Sequence, residues 1–165
     1  MEYWDIYDSN KQRTGRTMQR NDFTMKEGDY HLTVLGVIRR TDGKYLITQR
    51  ALNKHWAAGW WEVSGGGVMA GEESADAVRR EVLEETGLDV ANAKEGGYVF
   101  SYHRESEGDN YFVDIYRYTM DFEESDVKPQ FSEMQGFRLA EKSEIEELAK
   151  QGIFLHYDSI KAVFE

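Results

Sequence analysis

The chain has 165 residues, enough for one compact domain and short of the size at which chains usually divide. Hydrophobic residues at 40% and aromatics at 13% supply a core and exclude general disorder. With 20 Lys and Arg against 31 Asp and Glu the formal charge is -11, which argues against nonspecific binding to nucleic acid or to an anionic membrane surface, and the absence of cysteine excludes disulfides and thiolate chemistry.

The N-terminal MEYWDIYDSN is acidic where a signal peptide would be basic, and no stretch reaches the roughly 18 apolar residues of a membrane span. The expectation is a cytoplasmic protein without a membrane partner. EYWDIYD and RTGRTMQR, separated by polar SNKQ, predict a hairpin over residues 3–19, within an N-terminal extension of residues 1–28 of a single 1–165 domain. A polar connection follows. HLTVLGVIRR and YLITQR then form a second hairpin about Asp42-Gly43 and run through the core.

Residues 51–59 read as irregular, and Trp60–Val63 as a short strand entering a loop of three glycines, Gly65 to Gly67. From Ser74 to Thr86 the pattern predicts a helix, with Ser74 capping its start and Gly87 in the left-handed position after its last turn. GGYVFSYHRE and NYFVDIYRYTMDF predict a third hairpin across SEGD. EESDVKPQ is a loop, FSEMQGFRLA a last strand, KSEIEELAKQG an amphipathic helix with Ile145, Leu148 and Ala149 inward, and HYDSIKAVFE a closing helix.

The chemistry concentrates in GGGVMAGEESADAVRREVLEETGL, residues 65–88. At about 100° per residue, Ala75, Val78, Val82 and Leu83 share one helix face while Glu81, Glu84 and Glu85 gather on an adjoining one. Like charges so spaced cost roughly 0.2–0.5 kcal/mol per pair. A hard divalent cation such as Mg2+ supplies the missing counter-charge. The glycines let backbone approach a ligand closely, and Arg80 stands where it can pair with Glu72 and brace loop against helix.

Gly66, Glu72, Arg80, Glu81, Val82, Glu84, Glu85, Gly87 and Leu88 occupy every fixed position of G-x5-E-x7-R-E-U-x-E-E-x-G-U, where U is apolar. The segment therefore resembles the box of the Nudix hydrolases. The resemblance implies an α/β/α sandwich with a mixed β-sheet, here carrying an N-terminal β-hairpin. It implies hydrolysis, with Mg2+ or Mn2+, of a nucleoside diphosphate linked to another group. Glu81 and Glu85 would be the principal metal ligands, with Glu84 in the cluster and the Gly65 or Gly66 carbonyl a further ligand. Gly66, Glu72, Arg80 and Gly87 would be structural. Members of the family differ in which glutamate acts as general base, and Glu84 and Glu133 are the candidates in this chain.

Outside the box, QRALNKHWAAGWWEVSGGG, with WDIYD and TGRT before it, is similar to the corresponding stretches of isopentenyl diphosphate isomerases and the Nudix hydrolases most like them. That likeness implies that Arg50 and Lys54 grip a substrate diphosphate. The isomerases use a cysteine near the glycine loop and this chain has none, so hydrolysis is the better reading, with isomerisation the enzymatic alternative. A non-catalytic nucleotide-binding module is the other, which the full set of box glutamates disfavours. Trp56, Trp60, Trp61, Phe100, Tyr102 and Tyr116 include candidates to stack on a base, about half of them being expected in the core. The expected partner is a small-molecule diphosphate, and the N-terminal hairpin offers an edge for a homodimer.

Overall fold

The computed structural model describes residues 2–22 and 24–165, so the polar connection expected after the first hairpin is seen apart from Phe23. Strands β1 (Tyr3–Tyr7) and β2 (Arg13–Gln19) pair antiparallel, Tyr3 against Gln19 and Tyr7 against Arg13, as a separate two-stranded sheet. β1 buries Trp4 and Ile6. The hairpin is fastened to the body at its turn, where Lys11 donates to Asp114 (2.5 Å) and to Ser101 (3.1 Å), and along its length, where Arg16 grips both oxygens of Asp29.

The main sheet has seven strands: β3 (His31–Arg40), β4 (Tyr45–Arg50), β5 (Trp61–Glu62), β6 (Ser64–Gly67), β7 (Glu95–Arg104), β8 (Tyr111–Met120) and β9 (Met134–Ala140). Its spine is β3, parallel to β8 from His31 opposite Tyr111 to Arg40 opposite Met120. β7 and β8 form the expected third hairpin. The β3–β4 hairpin turns at Asp42-Gly43, with Gly43 at φ 91°, but the two strands pair only at Ile38–Leu46 and Arg39–Tyr45. Beyond that they separate: β6 takes the free edge of β3 from Thr33 to Gly36, β5 takes that of β4, and β9 covers the other edge of β4. The sheet is thus split over a wedge built from residues 61–67.

That wedge corrects the expected glycine loop, since Ser64–Gly67 is a ladder strand. A Cβ at Gly65 would stand 2.4 Å from the Val34 carbonyl oxygen, and one at Gly66 would stand 2.4 Å from Glu81 Oε1. Only a strand without side chains fits between β3 and the helix beside it.

Helix α1 (Ser74–Thr86) has the expected span. Its N-cap, however, is Glu73, in extended conformation, and Ser74 is the first helical residue, its hydroxyl sharing a 2.5 Å hydrogen bond with that of Tyr116. Gly87 takes φ 79° and returns its N–H to Leu83. α1 buries Ala77, Val78 and Val82 on one face of the sheet against Leu32, Val34 and Ile38, the even positions of β3. Val37, from the odd positions, packs on the other face with Ile47, Ile115 and the C-terminal elements. These are α2 (Lys142–Lys150), with Ile145 and Leu148 buried and Ala149 half-buried, and the short α3 (Tyr157–Ile160), followed by a 3-10 turn at Lys161–Phe164 where one closing helix was expected. The last strand begins at Met134, so Phe131 to Glu133 stand in a turn and not on the strand. The architecture is an α/β/α sandwich with a mixed sheet and an N-terminal hairpin, as the resemblance of the box implies.

Gly36 of β3 faces α1, and a Cβ there would meet Val78 and Val82 methyl carbons at 2.8 Å. Gly36→Ala is expected to cost about 1–3 kcal/mol by overpacking, which in a chain of this size lowers Tm by about 2–4 °C per kcal/mol. Combining it with Val82→Ala is expected to recover part of the loss in a thermal melt.

Candidate active site

The glycine strand and α1 are locked together by one arginine. Arg80 Nε donates to Glu72 Oε2 at 2.8 Å and Nη2 to Glu72 Oε1 at 2.9 Å, a two-toothed fork, while Nη2 also reaches the Gly67 carbonyl at 3.2 Å. The remaining nitrogen, Nη1, donates to Glu81 Oε1 at 2.8 Å and lies 3.6 Å from Glu84. Glu72 in turn accepts the Met69 N–H, and its hydrogen bond to Arg80 holds its carboxyl below the usual range. Arg80 therefore touches both the residue expected to be structural and one expected to ligate metal. Gly87 closes the helix at its far end, where Lys128 and Gln130 N–H groups cap the Thr86 and Glu85 carbonyls and tie down the 128–130 loop.

Glu81 and Glu85, one turn apart, point towards β6. Glu85 accepts from the Ser64 hydroxyl and the Gly65 N–H. A third carboxylate, Glu62 of β5, joins them. Burial pushes the Glu85 carboxyl well up, and the charges of Glu81 and Glu62 push it further. Glu81 is raised by burial against the pull of Arg80, and Glu62 by burial against the pull of Arg50. Glu62 was missed in the sequence reading. Its signal was alternation: Trp61 and Val63 are buried, so the acid between them must face the opposite way, into the split of the sheet.

These acids line a polar cleft of about 500 Å3 together with Gly65, Gly66, Glu84 and Glu133. Arg50 and Lys54 line it too, and each already holds a carboxylate: Arg50 Nη1 lies 3.2 Å from Glu62, and Lys54 pairs with Glu133. Glu133, exposed in its turn, is brought to the cleft by the loop and not by the strand. Glu84 is more exposed than Glu72 and Glu81, with its side chain 55% accessible. Among the described residues, no three Asp, Glu or His side chains stand in a ready-made metal cage. The convergence of Glu81, Glu85 and Glu62 is a charge cluster whose oxygens are still spread over Arg80, Ser64 and Arg50.

A second cavity of about 580 Å3 is lined by rings, among them Trp56, Trp60, Tyr102 and Tyr111. A neck of about 180 Å3 joins the two, sharing Arg50, Glu62 and Gly65 with the cleft and Trp56, Leu155 and His156 with the ring cavity. Of the aromatic residues singled out in the sequence, Trp56, Trp60 and Tyr102 therefore line this cavity, whereas Trp61 and Tyr116 are core and Phe100 packs beside it. His31, buried at the edge of the ring cavity, stacks on Trp4 at 3.8 Å and 3°, and pairs its Nε2 with Asp109.

Comparison with known proteins agrees with this geometry. The NUDIX domain family model matches residues 29–162. An uncharacterised Nudix hydrolase of Listeria innocua is 33% identical over 100% of this chain and 95% of its own. The nucleoside triphosphatase NudI of Salmonella agona is 44% identical over 55 residues, 33% of this chain and 39% of NudI. Among solved structures, DR0079 from Deinococcus radiodurans shares the fold with a TM-score of 0.72 at 19% identity, covering 90% of each chain. The NUDIX domain of Shewanella oneidensis NrtR, solved with ADP ribose, has a TM-score of 0.60 at 16% identity, covering 78% of this chain and 82% of its own. With its box residues gathered on one cleft and the family model spanning most of its length, the chain belongs to the Nudix family and is a hydrolase of phosphorus-containing anhydrides.

Proposed function

We propose that this protein is a metal-dependent pyrophosphohydrolase that cleaves the diphosphate linkage of a nucleoside diphosphate derivative by water attack at phosphorus. The observation that carries the reading is the convergence of Glu62, Glu81 and Glu85 on one cleft, each with its carboxyl raised by burial, with Arg50 and Lys54 lining the same space. Such an arrangement is costly unless a cation or a ligand completes it.

The donor set fits Mg2+ or Mn2+. All donors are carboxylate or carbonyl oxygens, as hard divalent cations require. The missing side chain at Gly66 lets the Glu81 carboxylate lie directly against the glycine strand, where a Cβ would stand 2.4 Å from its Oε1, so a carboxylate and the strand's backbone face the same space. Glu81 and Glu85 would hold it, with Glu84 and the Gly65 carbonyl completing the set. When bound, the ion neutralises charge on the diphosphate and makes attack by water possible at neutral pH.

The chain's own residues account for the remaining steps. Arg50 and Lys54 exchange Glu62 and Glu133 for diphosphate oxygens, orienting the attacked phosphorus and stabilising charge that develops on it. Glu84 or Glu133 takes the proton of the attacking water; both line the cleft. Arg80 holds Glu81 in place as an outer partner. The neck and the ring cavity receive the group attached to the diphosphate, and the likeness to NudI and to the NrtR domain supports a nucleotide there.

Among the described residues, no helix is long and apolar enough to cross a membrane. A cytoplasmic location remains part of the same reading, supported by the absence of cysteine. A homodimer through the hairpin edge is tested by a mass measurement in light scattering, where a monomer would contradict it.

Three results are expected. In Mg2+-dependent release of phosphate or pyrophosphate from a nucleotide panel, Glu81→Gln and Glu85→Gln should each lose more than the roughly 10–100-fold that removal of an outer partner costs; full activity in a folded variant would refute the ligand assignment. Arg80→Lys, which keeps the charge but not the fork, should lose about 10–100-fold and require more metal for half-maximal rate. In chelator at pH 7, Glu85→Gln should melt at a higher temperature than the wild type, because it removes one of the mutually repelling buried charges; an equal or lower Tm would contradict the electrostatic account.

A further inference from the structure

The hairpin β1–β2 lies ahead of residue 29, where the family model begins, so its contribution to the cleft comes from outside the region that the model matches. Its closed end and its flank are tied to the body: Lys11 to Asp114 and Ser101, and Arg13 to the Glu72 carbonyl and the Glu73 carboxylate. Its open end reaches the active site. There the Arg20 N–H donates to the Glu2 carbonyl at 3.0 Å, the two side chains form an ion pair, and both residues line the acidic cleft. On the adjoining side, Trp4 and Asn21 line the ring cavity, so this one end of the hairpin spans both compartments.

The charges in the cleft are arranged in two groups. Six glutamates and three cations, Arg20, Arg50 and Lys54, line it. Arg50 and Lys54 are engaged with Glu62 and Glu133, whereas Arg20 is paired with Glu2 at the open end of the hairpin. A phosphate chain in the cleft therefore meets Arg50 and Lys54 from the body of the domain and Arg20 from the hairpin. The Arg20–Glu2 pair is also the easiest of the three to exchange, since both side chains are nearly half exposed, 47% and 45%, and water screens exposed pairs. A guanidinium fork that gives up such a partner can take two phosphate oxygens at once.

From this arrangement we infer that Arg20 is a substrate-binding residue delivered by the N-terminal hairpin, which leaves Glu2 to grip a phosphate of the substrate in the cleft. Glu2 is its competitor, holding the guanidinium in place until substrate arrives. The inference rests on the diphosphate reading of the cleft, and its test separates the two.

The probe is α,β-methylene adenosine diphosphate, whose P–C–P bridge resists cleavage, titrated in the presence of Mg2+ into full-length protein by calorimetry. Arg20→Ala is expected to bind it about tenfold more weakly, the equivalent of about 1.4 kcal/mol. Arg20→Lys should fall between Ala and wild type, and Glu2→Gln should bind more tightly, by about two- to threefold, because it releases the guanidinium. The opposite signs are the decisive feature. If Arg20→Ala and Glu2→Gln both weaken binding, the pair merely fastens the hairpin and the inference is overturned. If Arg20→Ala binds as the wild type does, the inference falls while the diphosphate reading stands. If the wild type fails to bind the analogue, both fall together.

Discussion

Glu62, Glu81 and Glu85 are held on one cleft against their mutual repulsion, and the surrounding architecture is what holding them there requires. Two of the three ride on α1, the third on a two-residue strand. Bringing them together needs a sheet that opens between β3 and β4 and a filler of that opening with no side chains of its own. The strand Ser64–Gly67 is that filler. A single Cβ at Gly66 would occupy the place of the Glu81 carboxylate, so the glycine and the acid are two halves of one steric statement. Arg80 then distributes one guanidinium over Glu72 and Glu81, converting part of the repulsion into a brace.

This also explains where the cost is carried. The apolar face of α1, with Val78 and Val82 fully buried against β3, anchors a helix whose other face is electrostatically unfavourable by itself. Packing on one face offsets repulsion on the other, as is common where a site is built for a ligand that arrives later. The hairpin adds a second layer to the same theme. Its fastening groups are engaged with the body, and the pair at its open end remains exposed at the mouth of the cleft.

Much of this was legible in the residues. The span of α1, its Gly87 terminus and the three hairpins follow from local periodicity and turn chemistry, which depend on neighbours in the chain. Of the packing face expected for α1, Val78 and Val82 are buried, whereas Ala75 and Leu83 are exposed and Ala77 is buried instead. What was misread depends on partners distant in the chain. Three glycines read as a loop because their strand character comes entirely from pairing with Thr33 to Gly36. Ser74 read as a cap because its hydroxyl suits that role, but Tyr116 of β8 claims it and Glu73 takes the capping position. Glu133 read as a strand residue and sits in the turn before it, paired with Lys54 of another loop. Glu62 was overlooked because its importance appears only when β5 and α1 face one another across the split. The cleft's polar set was visible in part through the box spacing, whereas the neck and ring cavity are assembled from segments far apart in sequence.

The claim on which everything else rests is that Glu81 and Glu85 converge to receive a divalent cation. Its most direct test is the thermal melt of metal-free wild type and of Glu85→Gln, each with and without added Mn2+ under otherwise equal conditions. Binding to the folded state raises stability with the ratio of free ion to dissociation constant. The account predicts that Mn2+ raises the Tm of the wild type and has little effect on the variant. An equal rise in both proteins, or no rise in the wild type, would contradict it.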